Sequence, residues 1–150
     1  MSNNKYTSDS KKQFEGKVVI ITGSTQGSGA ETAKLFAARG AKAITICGRQ
    51  EHKGIQIKKE IEELGSRCLY VKADLSKVED CKKIVALTDK EFGTVHSLVN
   101  VAGYTERGTI LSATLENYEN NFNINTRAPF ILIQETVKIC LLYTSDAADE

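Results

Sequence analysis

Lys17-Val18-Val19-Ile20-Ile21-Thr22-Gly23-Ser24-Thr25-Gln26-Gly27-Ser28-Gly29 is the stretch whose reading settles the fold class. Lys17 to Thr22 carries a short, β-branched, unbroken apolar run, the pattern of a strand buried on both faces. It passes straight into a glycine-rich turn, and a helical pattern opens at Ser28. Glycine permits positive φ and close backbone approach in such a turn. The opening of the helix then directs unpaired N–H groups and the positive end of its dipole at whatever lies above, which suits a pyrophosphate. The spacing is G-x-x-x-G-x-G, so it is neither the G-x-G-x-x-G fingerprint nor a phosphate loop ending in Gly-Lys-Ser/Thr. Taken alone, these glycines also fit plain turn chemistry.

Working outward, strand and helix patterns alternate. Ser28 to Arg39 places Ala30, Ala33, Phe36 and Ala37 on one helical stripe, with Gly40 where a C-terminal cap belongs. Ala43 to Cys47 reads as a second buried strand, and Gln50 to Leu64 as a helix closed by Gly65. Cys68 to Lys72 is a third strand, Lys77 to Phe92 a helix stopped by Gly93, and Val95 to Val101 a fourth strand. A loop follows from Ala102 to Ser112, and a long helix begins near Thr114. Strands recurring every roughly 25–30 residues with helices between them predict βαβ units with right-handed crossovers. The expected architecture is an α/β, Rossmann-type, doubly wound parallel sheet of strand order 3-2-1-4. The domain is expected to start near Phe14, after a disordered tail over residues 1–13.

The 150 residues hold 20 Lys and Arg against 19 Asp and Glu, a net charge of +1. That balance argues against a dedicated nucleic-acid binder, which needs a strong basic field. The longest apolar runs, Val18 to Ile21 and Phe130 to Ile133, are far too short to span a bilayer. Met1 to Ser10 is polar, without the apolar core of a secretory signal, so a cytoplasmic location is expected. Cys47, Cys68, Cys81 and Cys140 form no Cys-x-x-Cys pair, and His52 and His96 stand far from ligand spacing. Two of the cysteines fall in apolar strand-like runs and read as small buried hydrophobes, and no metal site is expected.

Phe14 through Gly29 resembles the opening of the short-chain dehydrogenase/reductase family, whose signature is Thr-Gly-x-x-x-Gly-x-Gly. Three further segments match in order. Asp74 and Leu75 follow the third strand, where the family places an acid near the adenine ring. Leu98-Val99-Asn100-Val101-Ala102-Gly103 is similar to the family's Asn-Asn-Ala-Gly, and Asn123 to Phe130 resembles the segment bearing the catalytic asparagine, here Asn125. The resemblance implies a cofactor site built from Gly23, Ser24, Gln26, Gly27, Ser28, Gly29, Arg49, Asp74, Leu75, Asn100, Ala102 and Gly103. It also implies homo-oligomer formation through the helix containing Asn125. Ser28 departs from the usual branched apolar residue between the last two glycines, and Val101 from the second asparagine. His96 stands where Asp is frequent and reads as a surface or strand-edge histidine.

The end of the second strand selects the dinucleotide. An acid there accepts from a ribose 2′-OH and repels a 2′-phosphate, whereas Arg does the reverse. Cys47-Gly48-Arg49-Gln50 has no acid, and a guanidinium binds phosphate through two N–H groups, so NADP is expected in preference to NAD. Otherwise Arg49 is an ordinary solvated residue at a helix start, an end that favours anions. Pro129, the single proline, lies within what reads as one helix from about Leu115 past Ile133. In an α-helix it would leave the Asn125 carbonyl without its partner. This fits a kinked structural helix. The resemblance adds a role for that carbonyl in holding a water of the proton relay.

In the family a tyrosine serves as general acid/base, a lysine four residues on stabilises its ionised form, and a serine holds the substrate oxygen. None of Tyr6, Tyr70, Tyr104, Tyr118 and Tyr143 has Lys at the fourth following position. Cys140 to Glu150 breaks the family pattern and matches a translated transposon-end sequencing adapter, so residues 14–139 are expected to be a cofactor-binding half without its C-terminal half. The long helix is then expected to stop soon after Pro129, with its apolar face exposed. Two functions follow: an NADP-dependent oxidoreductase acting on a carbonyl or alcohol, whose fragment is inactive, or a non-catalytic NADP(H)-binding module that senses the nucleotide or acts through a partner.

Overall fold

The computed structural model describes residues 12–146. Residues 1–11 and 147–150 lie outside it, and with them most of the expected N-terminal tail and the end of the 140–150 stretch. Gln13, assigned to that tail, accepts a hydrogen bond from Arg39 Nη1 at 2.8 Å.

β1 (Val18–Ile21), β2 (Ala43–Gly48), β3 (Arg67–Lys72) and β4 (Ser97–Val99) form one sheet of order β3-β2-β1-β4, the order expected. Every pairing is parallel, with Val18 opposite Ala43, Val19 opposite Ser97 and Ala43 opposite Arg67. α1 (Gly27–Ala38), α2 (Glu51–Glu63) and α3 (Val78–Phe92) are the crossovers. Gly40, Gly65 and Gly93 take positive φ just past these helices and end them as the sequence predicts.

Strand alternation divides the core. Val19, Ile21, Ile44 and Ile46 face α1 and α2, meeting Ala30, Ala33, Ala37, Ile57 and Ile61. Ile20, Cys47 and Val71 face the other way onto Ile84, Val85, Leu132 and Ile139. β1 is buried throughout, which explains its unbroken apolar run. Gly54, buried in α2, marks a close approach: a Cβ there would overlap the Tyr70 ring of β3. Three cysteines are buried, and Cys140 is exposed.

The segment after β4 differs from a single kinked α-helix. α4 (Leu115–Phe122) leads into a π-helical turn, Asn123–Arg127, and α5 (Ala128–Asp146) follows. The Ala128 N–H reaches back to the Asn123 carbonyl, five residues away. Pro129 therefore lies, as expected, inside one continuous helical run over residues 115–146, directly after the π-turn that accommodates its missing N–H. For that reason the helix does not stop soon after Pro129. It runs 19 residues, since nothing from Phe130 to Leu142 breaks it.

Candidate functional site

A cavity of about 370 Å³ opens at the carboxyl ends of all four strands. Its position between β1 and β4 is the crevice where an open parallel sheet receives a ligand, because crossovers on either side of it run to opposite faces. The glycine turn forms the floor, Cys47 to Gln50 and Ala73 to Leu75 form one side, and Val101 to Tyr104 with Ile124 form the other.

The turn is built for close approach. Gly23 has φ +61°, and a Cβ on it would come within 2.8 Å of the Ala102 backbone. At Gly29, a Cβ would overlap the Gly23 carbonyl, so α1 can begin against β1 only with glycine there. Ser24 fastens the turn to its neighbour strand. Its Oγ donates to the Ile21 carbonyl at 2.5 Å and accepts from the Cys47 N–H at 3.0 Å. Thr22 fastens it on the other side: Oγ1 accepts from the N–H groups of Val101 at 3.1 Å and Ala102 at 3.2 Å. The bridge from β1 to the loop after β4 is thus made through main-chain donors, so Val101 in place of asparagine leaves it intact.

Of the residues predicted for cofactor binding, Gly23, Gln26, Gly27, Ser28, Arg49, Asp74, Leu75, Ala102 and Gly103 line the cavity. Ser24 and Gly29 are buried beneath it and shape the turn. Asn100 is exposed at the end of β4 and is not part of the wall. Asp74 Oδ1 accepts from Ser76 N–H at 3.0 Å and Ser76 Oγ at 2.8 Å, while its own N–H goes to Asp80 Oδ2 at 2.8 Å. That N–H holds the Asp80 carboxyl below its ordinary range.

Asn125 uses both ends of its amide on the loop after β4. Oδ1 accepts from Tyr104 N–H and Nδ2 donates to Tyr104 O, each at 2.8 Å. Its side chain stands outside the cavity wall, which Tyr104 and Ile124 reach instead. The carbonyls of Ile124 and Asn125 both lose their usual partners, because Ala128 donates to Asn123 and Pro129 has no N–H. The Tyr104 hydroxyl donates to Glu106, which raises the phenol above its ordinary value. Arg127 Nη2 donates to the Ser76 carbonyl at 2.5 Å and ties the π-turn to the Asp74 loop.

Sequence reasoning missed Thr25, Cys47, Gly48, Gln50, Ala73, Val101, Tyr104 and Ile124 in the wall. Gly48 was the readable one. A Cβ there would overlap the Thr25 side chain, so the strand end that could have carried an acid is reserved for glycine. Burial pushes the Cys47 thiol up to about 12, leaving it an apolar wall residue.

The sequence model of the short chain dehydrogenases matches residues 17–146. The chain belongs to the short-chain dehydrogenase family. The chain is 35% identical over 125 residues to an uncharacterized oxidoreductase of Thermotoga maritima, covering 83% of this chain and 49% of that protein. It is 33% identical over 125 residues to 3-beta-hydroxysteroid dehydrogenase of Comamonas testosteroni, covering 83% and 48%. The crystal structure of a short chain dehydrogenase from Burkholderia cenocepacia in complex with NADP superposes with a TM-score of 0.81 at 29% identity, over 83% of this chain and 51% of that one. The chain spans about half the length of the curated relatives it matches.

The residues present fit a nicotinamide dinucleotide. The family binds such a cofactor, and the turn that lines the cavity packs so closely on Ala102 and on itself that Gly23 and Gly29 admit no side chain. Among the described residues no group of His, Cys, Asp and Glu could hold a metal ion, and no helix is long and apolar enough to cross a membrane.

Proposed function

We propose that this chain is the cofactor-binding half of an NADP-dependent oxidoreductase that transfers hydride between the nicotinamide and a small carbonyl or alcohol substrate. The observation that carries the reading is the end of β2. Gly48 is held small by Thr25, and Arg49 beside it is exposed and lines the cavity without a hydrogen bond or ion pair to any described residue. A strand end with no acid and an uncommitted guanidinium suits a 2′-phosphate and offers nothing to a ribose 2′-OH.

Gly23, Gln26, Gly27 and Ser28 would hold the diphosphate through backbone N–H groups, with Gly29 letting α1 begin close beneath it. Asp74 and Leu75 would flank the adenine, and Ala102 and Gly103 would line the path toward the nicotinamide. Asn125 keeps that path open by pinning Tyr104, and the two freed carbonyls of the π-turn can hold a water of a proton relay. The cofactor supplies the hydride chemistry. The tyrosine–lysine pair that completes the reaction is not found among the five tyrosines, so the chain by itself is expected to bind dinucleotide without turning over a carbonyl. The same reading assigns the whole protein to the cytoplasm, as a homo-oligomer through the surface of α4 and α5.

Calorimetric titration tests the cofactor reading. NADPH is expected to bind more tightly than NADH, and Arg49→Ala to weaken NADPH by about tenfold while sparing NADH, the effect of losing one charge-assisted contact. Equal affinity for the two dinucleotides would overturn it.

A further inference from the structure

We propose that Lys53 supplies a second positive charge to the site of the adenosine 2′-phosphate, delivered from α2 and held at the cavity rim by Gln26. The inference rests on the NADP reading above. Lys53 Nζ donates to Gln26 Oε1 at 2.6 Å, and Gln26 forms part of the cavity wall. Gln26 occupies the N-cap of α1 in extended conformation, yet its side chain caps nothing. Its amide oxygen is turned to the lysine instead.

The partner's charge sets this lysine apart from those held in ion pairs. Lys34, Lys58, Lys59, Lys72, Lys82, Lys83 and Lys138 all pair with carboxylates. Lys53 pairs with a neutral amide, which orients the ammonium and leaves its charge whole. Glu51 is ion-paired with Lys72 at 3.5 Å, and Asp74, whose Oδ1 accepts from the Ser76 N–H and hydroxyl, forms no ion pair with Arg49 or Lys53. The rim therefore carries two cations, Arg49 before α2 and Lys53 in its first turn, neither ion-paired among the described residues. A phosphate monoester near neutral pH bears close to two negative charges. Two cations on one rim match it, and a ribose hydroxyl gains nothing from them.

The test is calorimetry on the 150-residue chain with adenosine 2′,5′-bisphosphate and adenosine 5′-phosphate as probes. Lys53→Gln is expected to weaken the bisphosphate by about five- to tenfold and leave the 5′-phosphate unchanged, with Lys53→Arg restoring most of the loss. Equal weakening of both probes, or no change in their ratio, overturns the proposal, since a lysine that merely braced the turn would act on both alike. If the wild-type chain prefers the bisphosphate and only Arg49→Ala removes that preference, the Lys53 assignment falls and the NADP reading stands. If the wild-type chain shows no preference, or binds neither probe, both fall.

Discussion

Nδ1 of His96 accepts the Val18 N–H at 3.0 Å, and the His96 N–H goes to the Val18 carbonyl at 2.9 Å. The imidazole thus extends the pairing of β1 and β4 by one side-chain bond, which only the neutral ring can accept. Partial burial, with Lys17 and Lys42 nearby, lowers the affinity of this ring for a proton. A base whose folded-state pKa lies below its unfolded value binds fewer protons when folded. Its contribution is therefore complete above the ordinary histidine value and is lost as pH falls through 6.5 toward the lowered value. Urea midpoints measured from pH 8 to pH 5 should fall for the wild type and fall less for His96→Gln. The depressed carboxylates, Glu60 and Asp80, act at lower pH, since their ordinary values are 4.5 and 3.8. An identical slope in the variant would remove the histidine from this account.

At the scale of elements, α2 and β3 meet where Gly54 lies under the Tyr70 ring, whose hydroxyl also donates to the Gly48 carbonyl at 2.9 Å. Two effects oppose each other in Gly54→Ala. Helix propensity would gain about 1 kcal/mol, while overpacking against an aromatic ring costs about 1–3 kcal/mol. Overpacking should win, with a net loss of up to about 2 kcal/mol by urea denaturation. In a Tyr70→Leu background the same substitution should become neutral or stabilising, and a loss of equal size there would refute the packing explanation. The sequence foretold the order of these elements because buried parallel strands and glycine-stopped helices leave strong patterns, as β1 and Gly40, Gly65 and Gly93 show. The cavity was legible wherever a glycine or a charge marked it. Thr25, Val101 and Ile124 carry no local signal, since only the sheet order brings them to one place. The π-turn was hidden because Pro129 suits both a kinked α-helix and a helix interrupted by a π-turn.

On the scale of the whole molecule, α5 is apolar on two sides. Ala128, Leu132 and Ile139 are buried with α3 and the sheet, whereas Phe130, Ile133 and Val137 are 46–61% exposed. A helix hydrophobic all round is ordinarily enclosed, and Tyr118 and Phe122 of α4 extend the exposed surface. The chain should therefore self-associate. Sedimentation velocity is expected to show species larger than a monomer, reduced by Phe130→Glu combined with Ile133→Glu. A steep, concentration-independent, monomeric urea transition would contradict this. β4 adds a second opening. Among the described residues β4 pairs through three residues with β1 alone, which makes it the edge strand of the sheet. Such an edge is a template, onto which a polypeptide supplied in trans with a compatible parallel strand could zip.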